Sequence, residues 1–205
     1  MSNRTPRIVL ASSSPRRRAL LAALGIEFEV VVSGIDEVFE GEPAEMVMLN
    51  ARLKRDDVAG KISGDAIVIA SDTLVFQDEH VLGKPADLDE ARVMLRRLSG
   101  RTHAVLTGLA LVDTARGKRV EGFERTGVRF RELSESEIDA FVEAVKPTDR
   151  AGAYTVDGPG SLLVAGYEGC YQNVLGFPIV RLDGLVRELG YDLFSMMNAE
   201  RAVYL

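Results

Sequence analysis

Asp72 follows the apolar run Ala66-Ile-Val-Ile-Ala70 with only Ser71 between them. A carboxylate at the end of a buried strand is costly unless it is paired, hydrogen-bonded or metal-bound. Strand ends are also where open α/β sheets place ligands. The plainer alternative is that the strand ends there and Asp72 opens a turn. The continuation Thr73-Leu74-Val75-Phe76 stays strand-like and argues against a turn. Asp36 and Glu37 form a second acidic group after another apolar stretch. Adjacent carboxylates can share a hard cation such as Mg²⁺, although a solvated acidic pair is the usual explanation. Lys54 and the tight Gly83-Lys84-Pro85 loop add cations that are compatible with a surface role or with a phosphate ligand.

A third group lies in "IVLASSSPRRRALL" at residues 8–21. Ile8 to Ala11 reads as a short buried strand, and Ser14-Pro15 as a helix start, with serine capping free N–H groups and proline at the first helical position. Leu20, Leu21 and Leu24 supply an apolar face, and Gly25 is the expected stop. Arg16, Arg17 and Arg18 therefore sit in the first turn, where the helix dipole is already positive. An anion held by Ser12, Ser14, Arg16 and Arg17 would relieve that mismatch, since helix N-termini and guanidinium forks both suit phosphate. An ordinary capped helix with solvated arginines is the alternative. Farther on, Asp149-Arg-Ala-Gly-Ala-Tyr154 and Val156-Asp157-Gly158-Pro159-Gly160 combine small residues with an aromatic that could stack on a base or fill the core.

The elements that would carry these groups can be read from periodicity. Strands are expected at 27–33, at 66–70 running on through 75, at 102–112 and around Val128 and Phe130, with short ones at 162–164 and 171–175. Helices are expected at 43–60 and 88–98, after the Ser134-Glu-Ser-Glu137 capping box as far as Pro147, and from Leu182 to a stop at Gly190. Strands and helices are interspersed without strict alternation, and some neighbouring strands look like hairpins. That favours an α/β fold with a mixed, partly antiparallel sheet and flanking helices over a doubly wound parallel one.

A chain of 205 residues with a formal charge of −6 suits one α/β unit spanning 1–205 and disfavours nucleic-acid or membrane-surface binding. Cys170 is the only cysteine, so no intrachain disulfide framework exists and a reducing compartment is expected. With His80 and His103 as the only histidines, a Cys/His zinc site is not expected. No uncharged run reaches the roughly 18 residues of a membrane span, and the first residues lack the apolar stretch of a secretory signal. The expectation is a cytoplasmic protein. The Walker-type phosphate loop, the dinucleotide-binding G-x-G-x-x-G and the hydrolase G-x-S-x-G elbow are all missing. What remains is an anion site with carboxylates for a metal, which points to phosphate chemistry without naming a substrate.

The segments "LASSSPRRRALLAALGIEFEV", "SDTLV", "GKP", "LSGRTHAVLTGLAL", "DRAGAY" and "CYQNVLGFPI" together resemble the Maf nucleotide pyrophosphatases, in the family's order from residue 8 to about residue 190. The resemblance implies two lobes around a cleft, a fold related to the inosine triphosphate pyrophosphatases. It implies house-cleaning hydrolysis of a nucleoside triphosphate to the monophosphate and pyrophosphate with Mg²⁺ or Mn²⁺, often by a homodimer. Carried over to this chain, Asp72 would be the catalytic general base beside the metal, and Glu37 would help hold that metal. Ser12, Arg16, Arg17, Lys54 and Lys84 would bind the triphosphate. Arg16 and Thr73 match the branch acting on dTTP and UTP, whereas the 7-methyl-GTP branch tends to have Trp and Gln there. Asp157 stands where the pyrimidine branch usually has Gln; an ionised aspartate only accepts hydrogen bonds, which suits guanine better. Lys54-Arg55 departs from the usual Lys-Ala. The resemblance thus favours dTTP and UTP as substrates, with 7-methyl-GTP hydrolysis or a nucleotide-binding regulator of septum formation as alternatives.

Overall fold

The computed structural model describes residues 6–78 and 80–203. One seven-stranded sheet organises them, in the order β2-β1-β3-β5-β6-β7 with β4 also beside β3. The strands are β1 (Ile8–Ala11), β2 (Glu29–Val30), β3 (Ile67–Gln77), β4 (His80–Leu82), β5 (Thr102–Asp113), β6 (Lys118–Phe130) and β7 (Val164–Glu168). The first two run parallel to each other and to β3, and the other pairings are antiparallel. The mixed sheet read from the sequence is therefore the one observed. Helices α1 (Pro15–Ala23), α2 (Pro43–Lys61), α3 (Leu88–Leu98), α4 (Glu135–Val145), α5 (Tyr171–Val174), α6 (Ile179–Glu188) and α7 (Leu193–Met196) flank it.

The long strands β3, β5 and β6 run through two lobes, each with its own apolar packing. In the first lobe, Ile8, Leu10, Ile67, Ile69, Leu109 and Leu111 pack against Leu21 of α1, Leu182 and Leu185 of α6, and Leu193 and Met196 of α7. After Gly190, Tyr191, Leu193 and Met196 thus pack on this lobe, whereas Phe194, Met197 and Val203 are exposed. On the opposite face, Val9, Ala11, Val68 and Ala70 meet Val58 of α2. In the second lobe, Val75, Val105, Val128 and Phe130 pack on Leu95 and Leu98 of α3 and Ile138 and Val142 of α4. Met46, Val47 and Met48 of α2 cover Leu74, Ala104 and Leu106.

The two lobes meet where Asp72 pairs with Gly108 and Thr73 with Thr107. Helix α2 crosses this seam closely. A β-carbon on Gly108 would lie 2.4 Å from the carbonyl oxygen of Val47. A glycine in mid-strand normally weakens a sheet, and here it admits a helix backbone.

Three expectations need correction. The strand expected at 27–33 is only Glu29–Val30, because its partner β1 ends at Ala11, and Val30 and Val32 are exposed. Residues 158–163 form a 3₁₀ turn instead of leading a strand at 162–164, and β7 begins at Val164. Residues 171–174 are helical, because the turn buries Asn173 beneath Val105 and Thr126 while leaving Tyr171 and Gln172 outside. Among the described residues no helix is long and apolar enough to cross a membrane.

Replacing Gly108 by alanine should force α2 away from the seam. Overpacking of this kind costs about 1–3 kcal/mol. Urea denaturation of Gly108→Ala is expected to show that loss; an unchanged midpoint would mean that the helix does not press on this strand.

Candidate active site

Strand β3 lacks a complete neighbour on one edge. Its pairing with β1 ends at Ala70, and its pairing with β4 begins only at Val75. From Ser71 to Leu74 it has a strand partner only on the β5 side. The chain then places side chains from two helices against this gap, one on each face of the sheet.

On the α2 face lies Asp72, 4% exposed. Lys54 Nζ donates to Asp72 Oδ1 at 2.6 Å and to Glu37 Oε1 at 2.5 Å. One ammonium is thus seated between two carboxylates that lie thirty-five residues apart in the chain. Asn50, one helical turn before Lys54, donates from Nδ2 to Asp72 Oδ2 at 3.1 Å. Asp36 and Glu37 are both exposed, and it is Glu37 that meets Lys54. Nothing about Asn50 drew attention in the sequence; its i, i+4 spacing from Lys54 was the available signal.

On the α1 face, Ser14 caps the helix as its sequence suggested, accepting from the Arg17 backbone N–H, with Pro15 in the first turn. Ser12 Oγ accepts from the Ser14 N–H at 3.2 Å. The Arg17 side chain turns inward. Its Nη1 donates to the Ser71 carbonyl and its Nε to the Gly176 carbonyl, each at 2.9 Å, and its Nη2 donates to Thr73 Oγ1 at 2.9 Å. Nη1 also reaches Ser12 Oγ at 3.4 Å. Burial pulls the guanidinium below its ordinary pKa, while the charges of Asp72 and Glu37 hold it up. Thr73 Oγ1 continues to Thr107 Oγ1 at 3.0 Å. From there Thr107 donates to the Asn173 carbonyl, and the Asn173 amide donates to Val105 O and Thr126 Oγ1.

Two groups of the residues singled out in the sequence are therefore assembled: Glu37, Lys54 and Asp72 on one face, and Ser12, Arg17 and Thr73 on the other. Arg16 and Lys84 are exposed at the surface. Lys84 lies in the loop after β4, whose Gly83 carbonyl accepts from the Gly152 N–H at 3.0 Å and so anchors the Asp149–Tyr154 segment. Asp157 is exposed and accepts a hydrogen bond from Thr155 Oγ1. Among the described residues no hydrogen bond or ion pair joins Arg16, Lys84 or Asp157 to either group. Arg55 is buried and pairs with Asp56 at 2.9 Å, so the departure from alanine is absorbed by a neighbouring carboxylate. A shallow groove beside α1, lined by Pro15, Arg18, Ala19, Ala22 and Phe28, contains none of the assembled side chains.

Tyr154 fills the core of the second lobe. It packs edge-on against His103 and Phe130, and its hydroxyl lies 2.6 Å from His103 Nε2. Burial lowers the His103 pKa to about 4 from the usual 6.5. The unfolded chain therefore binds a proton that the folded chain refuses between those values. Stability is complete above pH 6.5 and is lost as the pH falls towards 4, by up to about 3 kcal/mol. Denaturant titrations across this window should show that slope, and it should be reduced in His103→Gln; equal slopes would assign it to other groups.

Comparison with known proteins gives a consistent result. The family model described as Maf-like protein matches residues 7–189. A dTTP/UTP pyrophosphatase of Pelotomaculum thermopropionicum is 47% identical, with 91% of this chain and 98% of the relative covered. Proteins of the same name from Caldicellulosiruptor bescii and Alkaliphilus oremlandii are 43% and 45% identical; 92% and 91% of this chain and 98% and 97% of those relatives are covered. Among solved structures, the Staphylococcus aureus Ham1 protein aligns with a TM-score of 0.42 and 15% identity, over 62% of this chain and 72% of that one.

Proposed function

Because the chain belongs to the Maf-like proteins, we propose that it hydrolyses nucleoside triphosphates, dTTP and UTP foremost, to the monophosphate and pyrophosphate. The observation that carries this reading is the buried Asp72 carboxylate, joined to Glu37 through the Lys54 ammonium at a gap in the sheet edge.

The reaction needs a base for water and cations for the departing pyrophosphate. Each oxygen of Asp72 accepts one hydrogen bond and keeps further acceptor capacity. In the proposed step Asp72 takes a proton from water as the water oxygen bonds to the α-phosphorus. The bond from that phosphorus to the α–β bridging oxygen breaks, and the electron pair leaves with pyrophosphate. Arg16 at the positive end of α1 and Lys84 in its exposed loop bind phosphate oxygens. Ser12 and Arg17 complete that side by holding the turn and the β3 backbone in place.

Glu37 and Asp72 also suit a divalent cation. They are oxygen donors already positioned around one positive charge, the Lys54 ammonium, as a hard ion such as Mg²⁺ or Mn²⁺ requires. Among the described residues no cluster of three His, Cys, Asp or Glu side chains could hold a metal, so the protein would hold the ion through these two carboxylates. An ion held by Glu37 and Asp72 would supply positive charge for the departing pyrophosphate. Lys54, whose ammonium lies beside both carboxylates, would add a positive charge for the triphosphate.

The relatives named dTTP/UTP pyrophosphatase, together with Arg16 and Thr73, support pyrimidine substrates. Asp157 accepts from Thr155 Oγ1 through one oxygen and keeps the other as an acceptor, so it remains the one residue that favours guanine.

Pure protein with Mg²⁺ or Mn²⁺ should release pyrophosphate, and not orthophosphate, from dTTP and UTP faster than from 7-methyl-GTP. Asp72→Asn should lower kcat about 10²–10⁴-fold, the usual worth of a general base. A guanine preference would transfer base choice to Asp157, and full activity of Asp72→Asn would remove Asp72 from the chemistry.

A further inference from the structure

Asn50 is a fully buried polar side chain in the middle of α2, where an amphipathic helix ordinarily places an aliphatic residue. All three of its hydrogen bonds reach outside the helix. Its Oδ1 accepts from the Val38 N–H at 2.8 Å, while its Nδ2 donates to the Val38 carbonyl at 3.0 Å and to Asp72 Oδ2 at 3.1 Å. It therefore grips both backbone groups of the residue after Glu37 and, with the same amide nitrogen, one oxygen of Asp72.

We propose that Asn50 is a positioning residue that holds the Glu37 and Asp72 carboxylates in the one arrangement able to share a cation. This rests on the proposed reading of those two carboxylates as metal ligands.

The chemistry at this position selects for a side-chain amide. The Val38 N–H needs an acceptor, while the Val38 carbonyl and Asp72 need donors, and an amide offers both without charge. Only one orientation of that amide works, because the reverse would set Oδ1 against two other oxygens. A leucine of similar size would leave the Val38 backbone groups and one Asp72 oxygen without these partners. An aspartate would put a third carboxylate against Asp72. Loop 35–38 has no strand or helix of its own, so its backbone is tied to the sheet seam through side chains. Ser33 and Gly34 hold its earlier end to Asp57, at 2.9 and 3.0 Å. Asn50 holds the end that carries Glu37. Lys54 then sits on the same helical face, one turn along, between carboxylates whose spacing Asn50 has set.

The test compares Asn50→Leu with the natural protein. Mn²⁺ binding would be measured by calorimetry without nucleotide, kcat and KM with dTTP, and Val38 amide exchange by NMR. Groups that orient metal ligands are typically worth 10–100-fold, so Mn²⁺ affinity and kcat should each fall about that much, with KM for dTTP nearly unchanged. A purely structural role would lower thermal stability without moving the Mn²⁺ affinity of the folded variant, and that result overturns the proposal. Should the variant fail to fold, exchange in the natural protein decides. A protected Val38 amide and slowly exchanging Asn50 side-chain protons support the clamp, and exchange at open-loop rates overturns it. If Asp72→Asn keeps full hydrolysis, the catalytic reading fails alone, since Mn²⁺ affinity and Val38 protection still report on Asn50.

Discussion

The gap on one edge of β3 is the constraint from which the site follows. A strand in the centre of a sheet has backbone groups directed to both neighbours, and buried ones must find partners. The pairing of β3 with β1 ends at Ala70 and its pairing with β4 begins at Val75, which leaves a short stretch without a strand on that side. Arg17 fills part of it by donating to the Ser71 carbonyl. Arginine suits that role because its planar fork serves several acceptors at once, here two carbonyls and Thr73 Oγ1. The opening is thus kept as a gap by a side chain instead of being closed by another strand. Side chains on either side of Ser71–Leu74 alternate between the two faces, which is how Asp72 reaches α2 while Thr73 reaches α1.

The same opening explains how Asp72 is tolerated where it is. An unpaired carboxylate at that depth would be strongly disfavoured, and removing one partner from a buried pair typically costs about 3–5 kcal/mol. Lys54 and Asn50 compensate it together, one bringing charge and the other a neutral donor. Their placement depends on α2 approaching the sheet closely, which Gly108 permits by presenting no side chain to Val47. A missing side chain in β5, a helix crossing and a carboxylate in β3 are in this sense one arrangement.

Much of this was legible in the chain, in proportion to how local its causes were. Ser14 and Pro15 start α1 through contacts within one turn, and Ser134 and Glu137 do the same for α4 with a reciprocal capping box. Asp72 stood out because a charge inside an apolar strand violates a simple rule. Asn50 did not, since its partners lie 12 and 22 residues away and nothing near it in sequence is unusual. Residues 171–175 misled for a similar reason. Their apolar and aromatic content suits a strand, but Asn173 can satisfy Val105 and Thr126 only from a tight helical turn. Tyr154 could have faced a base or the core, and its pairing with a histidine fifty-one residues earlier decides for the core.

The three arginines at the positive end of α1 illustrate how a single sequence feature divides into separate roles. Read along the chain they form one cluster that calls for an anion. In three dimensions Arg17 leaves the cluster, and carbonyl and hydroxyl oxygens answer its charge. Arg16 and Arg18 stay exposed, so their charges add to the helix dipole instead of being consumed by the fold. A basic cluster measures affinity for an anion only after those cations that serve as backbone donors are set apart. Here the architectural arginine is also what keeps the edge of β3 open. The residue withdrawn from the charge cluster and the space left beside the remaining charges therefore have a common origin.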